Sequence, residues 1–397
     1  MLLDCFSVHL PHRDRKWNDI DLARGIWKSV RMRRKKPVVL LTGGAGFLGR
    51  ATVRELTRPR GEPVLSPREI RVFDVEPGDR AEAGGIPIIP IRGDVCDPEA
   101  VRRACAGADA VFHLAAIVDW GSSPEARIRD VNVGGTASVV EACAAEGVAA
   151  LVHTSSEDAV YDGGPIRDGD ETLAYPTQFS SVYCETKAQS ERIVLEANGR
   201  PLAGARKKLR CSVVRPCSIY GEEDRFHVGS LLALGRRGPI VRIGSGRARN
   251  QAVYVGNVAH LEILLARALL EGRQRTDGQV FYAVDHPPAN FFDFYEPIVT
   301  ALGCRMLPWR FSIPEPVMTG LGTVNDAAAF LLKPLVAFKP LVSRFAVCFV
   351  CQDHTYKSDK AARLLGYAPI YSKEEAFERT IASFRSPTLG ADLRPVR

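Results

Sequence analysis

The 397-residue sequence has no uninterrupted apolar run long enough to cross a bilayer. Its most apolar stretch, residues 327–350, is broken by Lys333, Pro334, Lys339, Pro340 and Arg344, whereas a spanning helix needs roughly 20 consecutive apolar residues. Two short helices are expected there, either packed on the protein or presenting an apolar ramp to a membrane. The first 36 residues contain no apolar h-region and include four aspartates, which argues against both a secretory signal and a mitochondrial transit peptide.

Net positive charge is equally scarce outside one segment. Of the net +7, residues 1–36 supply +6, ten Lys/Arg against four Asp, so the remaining 361 residues carry +1. The folded part therefore has no phosphate-tracking surface, and a nucleic-acid partner is not expected. A disulfide framework is also missing, because the ten cysteines (5, 96, 105, 143, 184, 211, 217, 304, 348 and 351) scatter through apolar text. That pattern suits a reducing, intracellular compartment. Cys348 and Cys351 form a C-x-x-C with no second ligand pair and are read as core thiols. There is no H-E-x-x-H among the eight histidines, so no metal is expected. The absence of a G-x-S-x-G elbow disfavours a hydrolase.

What is present is a globular composition, 46% hydrophobic and 25% charged, in a chain too long for one ordinary domain. We expect a basic arm over residues 1–36. In it, Trp17, Ile20, Trp27 and Val30 lie near helical spacing, so an interfacial helix on anionic lipid competes with a plain solvated extension. Beyond the arm, β-branched runs at 38–42, 70–74, 86–91, 110–114, 149–154 and 209–215 alternate with helical stretches at 50–56, 98–105, 124–146 and 180–197. Such alternation predicts a doubly wound α/β fold, a parallel sheet covered on both faces. A helix at 257–270 and a strand at 279–284 return to it. Residues 37–220 with 250–285 are expected to form a dinucleotide-binding Rossmann domain. Residues 221–249 and 286–385 would form a smaller substrate lobe, and 386–397 a tail.

The strongest local signal is Val38-Val39-Leu40-Leu41-Thr42-Gly43-Gly44-Ala45-Gly46-Phe47-Leu48-Gly49, a buried strand entering a glycine-rich turn and a helix. Gly43 permits the turn, Gly46 lets the backbone approach a pyrophosphate, and Gly49 lets helix and strand pack closely. The anion would sit on the helix N-terminus. Asp74, ending the second strand, can bind both ribose hydroxyls and repel a 2′-phosphate, which favours NAD over NADP; Arg71 and Arg80 are the residues that could oppose this preference. Asp94 in Gly93-Asp94-Val95 either approaches adenine or caps the helix before Pro98.

Tyr183-x-x-x-Lys187 places a phenol and an ammonium on one helix face. The cation is expected to lower the tyrosine pKa from about 10, so that it can take a proton from an alcohol. The strand ending at His153-Thr154-Ser155-Ser156 brings a hydroxyl to the ligand edge of the sheet. Ser156 is the expected third group, with Ser155 second.

Together with Val111-Phe112-His113-Leu114-Ala115-Ala116 and Val131-Asn132-Val133-Gly134-Gly135-Thr136, these motifs resemble the extended short-chain dehydrogenases/reductases over residues 37–285. Leu209-Arg210-Cys211, the run Val214 to Gly221, Arg242-Ile243-Gly244-Ser245-Gly246, Tyr254 to His260, Phe281 to Asp285 and Gly366-Tyr367-Ala368-Pro369 are similar to the 3β-hydroxysteroid dehydrogenase family, including sterol-4α-carboxylate 3-dehydrogenases.

The resemblance implies that Gly43, Gly46, Phe47, Leu48 and Gly49 cradle the pyrophosphate of NAD and Asp74 holds its ribose. Asp94 and Val95 would flank adenine, while Ala115, Ala116, Pro216 and Ile219 border nicotinamide. Tyr183 would be the general base, with Lys187 tuning it and Ser156 orienting the hydroxyl. Asn132 is read as a structural bridge, and His113 and His260 as core or supporting residues. The implied activity is oxidation of a steroid or sterol 3β-hydroxyl, with 4α-decarboxylation and Δ5-isomerisation left open. Peripheral contact with the endoplasmic reticulum membrane, a cytoplasmic location and a homodimer also remain open. Competing readings are a nucleotide-sugar epimerase or dehydratase, a flavonoid-type ketone reductase, and a non-catalytic NAD sensor. Arg236, Arg237, Arg247 and Arg249 are the cations a sugar diphosphate would use.

Overall fold

Alternate residues of the first strand, β1 (Val38–Thr42), enter two different cores. Val39 and Leu41 pack on one face of the sheet, Val38 and Leu40 on the other. A strand buried on both sides needs helices above and below it. The computed structural model describes residues 36–59, 61–118, 123–204, 207–332 and 343–386. The basic arm through residue 35, residues 333–342 and the tail from 387 lie outside the described residues, and with them the expectation of an interfacial helix.

In chain order, β1 is followed by α1 (Phe47–Thr57), β2 (Glu69–Asp74), β3 (Ala81–Ala83), β4 (Ile86–Arg92), α2 (Pro98–Cys105) and β5 (Ala110–His113). Next come α3 (Glu125–Arg129), α4 (Gly135–Ala145), β6 (Ala150–Thr154), β7 (Ile166–Gly169), α5 (Val182–Glu196) and β8 (Arg210–Pro216). The third group is β9 (Ser218–Tyr220), α6 (His227–Gly235), β10 (Ala252–Tyr254), α7 (Val255–Glu271) and β11 (Gln279–Ala283). The chain then runs through α8 (Phe291–Ala301), α9 (Glu315–Leu332), α10 (Arg344–Cys351), β12 (His354–Tyr356), α11 (Asp359–Leu365) and α12 (Lys373–Arg385).

The main sheet has eight strands in the order β11-β8-β6-β5-β1-β2-β4-β3. Every pair is parallel except β3 with β4. This is the doubly wound α/β fold expected. The order reverses at β1, with β2 and β5 on either side of it, and opens a crevice at the carboxyl ends where ligands of such sheets bind.

Three local features depart from the simple reading. The helix expected at 124–146 contains a π turn at Asp130–Gly134 between α3 and α4. The Pro-rich text after 287 contains α8, which tolerates Pro297 inside it. The first helix of the apolar stretch begins much earlier than expected, at Glu315, and leaves Val317, Leu321 and Val324 exposed. Among the described residues no helix is long and apolar enough to cross a membrane.

Candidate active site

The glycine turn is built as its sequence demands. Gly43 has φ +68°, and its N–H donates to the Phe73 carbonyl at 2.9 Å. A Cβ on Gly49 would lie 2.5 Å from the carbonyl oxygens of Gly43 and Gly44, so only glycine lets α1 sit against the turn. Gly46 caps α1 without a side-chain hydrogen bond, and the first turn carries no acid. The amino end of α1 therefore keeps free N–H donors and an uncompensated positive dipole facing the cavity, which fits a pyrophosphate.

A cavity of about 490 Å³ runs along this crevice, lined by Gly43, Gly46, Phe47, Leu48, Gly49, Asp74, Asp94, Val95, Ala115, Ala116, Ser155, Ser156, Tyr183, Lys187, Pro216 and Ile219. Asp74 accepts hydrogen bonds from the N–H groups of Ala45 (3.1 Å) and Glu76 (3.3 Å). Arg71 is engaged elsewhere, donating to Glu69, the Ala104 carbonyl and the Ala106 carbonyl. The cap of α2 comes from Asp97, which accepts from Glu99 and Ala100. Asp94 is thereby free of that task and pairs with Arg127 at 2.6 Å. Burial opposes its charge, but the Cys96 N–H and Arg127 outweigh burial and hold the carboxyl below its ordinary range.

The catalytic face is set by α5. Ser181 caps it by accepting from the Cys184 N–H, which places Tyr183 in the first turn and Lys187 in the second. Both are buried, and the Lys187 ammonium donates to the Thr154 carbonyl at 2.6 Å. Burial brings its pKa down to about 8, against the carboxyls of Glu191, Asp158 and Glu262.

The expectation that Lys187 lowers the Tyr183 pKa is corrected here. Burial and then the Asp158 carboxylate push the phenol up, opposed by the hydrogen bond with Ser156. The physical reason is that burial disfavours the phenolate and the Asp158 carboxylate adds like-charge repulsion, while the ammonium is tied to the Thr154 carbonyl. Behind β6, Thr154 Oγ1 donates to Glu262 Oε1 at 2.5 Å, and burial lifts Glu262 to about 8.

The supporting residues are placed as bridges. Asn132, carried on the π turn, accepts from the Ile117 N–H and donates to the Ile117 carbonyl and Thr186. His113 bonds Thr42 and Thr136, stacks on His153, and is pushed down to about 3 by burial, so it is neutral. His260 lies in α7 near Tyr367, outside the cavity. Cys348 and Cys351 are half-buried on α10 rather than in the core. Burial raises both thiols, Cys351 to about 12; the short helix that carries them packs against α9. The described residues contain no group of three His, Cys, Asp or Glu able to hold a metal.

Sequence reasoning missed Glu157, Asp158, Cys217, Ser218, Phe226, His227 and Phe349, all of which line the cavity. Asp158 had a signal, the Ser-x-Asp spacing of a capping turn, since its N–H donates to Ser156 Oγ. Phe349 had none, since it arrives from α10.

A crevice at the carboxyl ends of the sheet, lined by a glycine turn and a buried Tyr-Lys-Ser group, is that of an oxidoreductase of the short-chain dehydrogenase/reductase type. A solved superfamily member from Agrobacterium tumefaciens, crystallised with bound NAD, shares the fold with a TM-score of 0.62 at 19% identity over 90% of this chain and 100% of its own. Residues 40–313 match the 3-beta hydroxysteroid dehydrogenase/isomerase family, and the chain belongs to that family. It is 36% identical to mouse 3 beta-hydroxysteroid dehydrogenase type 7 over 87% of this chain and 94% of the relative. It is 32% identical to an Arabidopsis thaliana 3beta-hydroxysteroid-dehydrogenase/decarboxylase over 89% of this chain and 63% of the relative.

Proposed function

We propose that this protein oxidises the 3β-hydroxyl of a steroid or sterol with NAD. The observation that supports the reading is that Tyr183 and Ser156 line the same cavity as the glycine turn, together with the apolar side chains of Phe226, Phe349 and Val118. NAD, when bound, supplies the acceptor for the hydrogen leaving C3. Gly43, Gly46, Phe47, Leu48 and Gly49 would hold its pyrophosphate and Asp74 its ribose. Asp94 and Val95 would flank adenine, and Ala115, Ala116, Pro216 and Ile219 the nicotinamide. Ser156 orients the substrate hydroxyl, and Tyr183 takes its proton as C3 becomes a carbonyl. Lys187, held by the Thr154 carbonyl, would bind the nicotinamide ribose.

NAD is favoured over NADP because Asp74 faces the cavity while Arg71 is bonded away from it. Arg236, Arg237, Arg247 and Arg249 do not line the cavity, which disfavours a sugar diphosphate. We assign residues 221–249 and 286–385 to substrate binding. The nine described cysteines are all free, consistent with a reducing compartment, the cytoplasm or the periphery of the endoplasmic reticulum.

Purified protein incubated with NAD or NADP and a panel of 3β-hydroxysteroids, 4-carboxysterols and nucleotide sugars tests the reading. We expect NAD-linked oxidation of the sterols and a loss of about 10²–10⁴-fold in Tyr183→Phe with NAD binding retained. Turnover of nucleotide sugars alone, or NAD binding with no turnover that Tyr183→Phe alters, would overturn it.

A further inference from the structure

Asp158 sits in the short 3₁₀ turn Glu157–Val160 after β6, buried and lining the cavity. The Ser156 hydroxyl donates to Asp158 Oδ2 at 2.9 Å, and the Asp158 N–H donates back to Ser156 Oγ at 3.2 Å. A hydroxyl has one proton and two lone pairs. Asp158 therefore occupies the proton and one lone pair, leaving a single lone pair for the cavity. Ser156 can then accept a hydrogen bond from an alcohol or from Tyr183, but it has no proton to offer a carbonyl oxygen. A protonated Asp158 reverses the pair: its O–H donates to Ser156, both lone pairs are engaged, and the serine proton turns to the cavity.

We propose that Asp158 is a positioning residue that sets the direction of the Ser156 hydrogen bond, and so selects whether the site favours the alcohol or the ketone. This rests on the reading of Tyr183 and Ser156 as an alcohol-oxidation site. With Asp158 ionised the ketone is held by Tyr183 alone and is released; with Asp158 protonated it gains a second donor.

The surroundings make Asp158 the group that changes charge near neutrality. Burial lifts it to about 6, opposed by Ser156 and Lys187. From α5 it is faced by Tyr183, Cys184 and Lys187. Its own turn brings Glu157 and Tyr161, and Cys217 and Tyr356 approach from the strand side. Burial raises the phenols, the thiols and the Glu157 carboxyl. Lys187 remains a cation until about 8.

The test follows alcohol oxidation and ketone reduction by the full-length protein across pH. In the wild type we expect kcat/KM for reduction to fall as pH rises through about 6, and Ser156→Ala to lack that fall. Asp158→Asn, which cannot change charge with pH, should abolish the fall. It should also move the Tyr183 limb of the oxidation profile down by roughly one pH unit, because a like charge beside the phenol is gone. Variants are first checked for NADH binding. A wild-type reduction rate flat through this range, or an NADH-binding Asp158→Asn whose two limbs keep wild-type positions, would overturn the proposal. Protein that binds NAD but turns over no steroid would sink the function reading alone. In that case the phenolate absorption difference between wild type and Tyr183→Phe, recorded with NAD bound, still reads the coupling. Asp158→Asn must shift its midpoint downward, and an unmoved midpoint rejects the role of Asp158.

Discussion

Tyr371 donates its phenolic hydrogen to Glu55 Oε1 at 2.6 Å, joining two residues 316 positions apart in sequence. Glu55 lies on α1, the helix whose amino end faces the proposed pyrophosphate, and both side chains are buried. The Tyr371 backbone is held in turn by Asn257 of α7, whose side chain also donates to Asp285. The C-terminal segment thus pins the cofactor helix from behind.

Removing the phenolic oxygen tests that clamp. Tyr371→Phe leaves a buried carboxyl short of its donor, at a cost of about 1–3 kcal/mol. Burial already raises the Glu55 pKa and Tyr371 opposes the rise, so the carboxyl should move further up. A lower urea midpoint with an unchanged m-value, together with weaker NADH binding, is the expected outcome; an unchanged midpoint would contradict the clamp.

Gly49→Ala should be worse than its single methyl suggests. The new Cβ meets two backbone carbonyls at 2.5 Å, and backbone cannot rotate aside as a side chain can. Overpacking of this kind costs about 1–3 kcal/mol, and the displaced turn should lose NADH affinity at least about tenfold. Fluorescence titration of NADH and thermal melting read both effects.

Glu262 gives a pH dependence of known sign. Its pKa is raised from 4.5 in the unfolded chain to about 8 in the fold, so its stabilising contribution is complete below 4.5 and is lost as pH rises through about 8. Glu262→Gln keeps an acceptor for Thr154 and cannot ionise. Its melting temperature should exceed that of the wild type above pH 8 by at least about 2 °C, and the gap should close toward pH 5. Lys187, with its pKa lowered to about 8, loses its own contribution in the opposite sense, as pH falls from 10.5 through 8. A gap that stays constant from acid to alkali would count against this account.

Much of this site could be read before any coordinates, because its groups are local in sequence. The strand-turn-helix of β1 and α1 needs glycines at fixed spacing, and Tyr183 and Lys187 share a face by helical geometry alone. The direction of the Tyr183 shift was not legible, since it depends first on how deeply the fold buries the phenol and then on Asp158 approaching from another element. Glu262 and Phe349 reach the site or its underside from α7 and α10, and nothing near them in the sequence marks that destination. Pro297 hid α8 for a different reason: a proline lowers helical expectation, yet the bond it forfeits can be sacrificed when one face is buried as deeply as Phe294, Tyr295 and Ile298.

The long reach from Glu55 to Tyr371 also orders events at the ribosome. At about 5–20 residues per second, the 316 positions from Glu55 to Tyr371 take roughly 15–60 s to synthesise. During that interval the nascent glycine turn and its helix exist without their final anchor, and the Glu55 carboxylate stays hydrated rather than buried. The half of the molecule made first is therefore completed by one of the last segments to emerge.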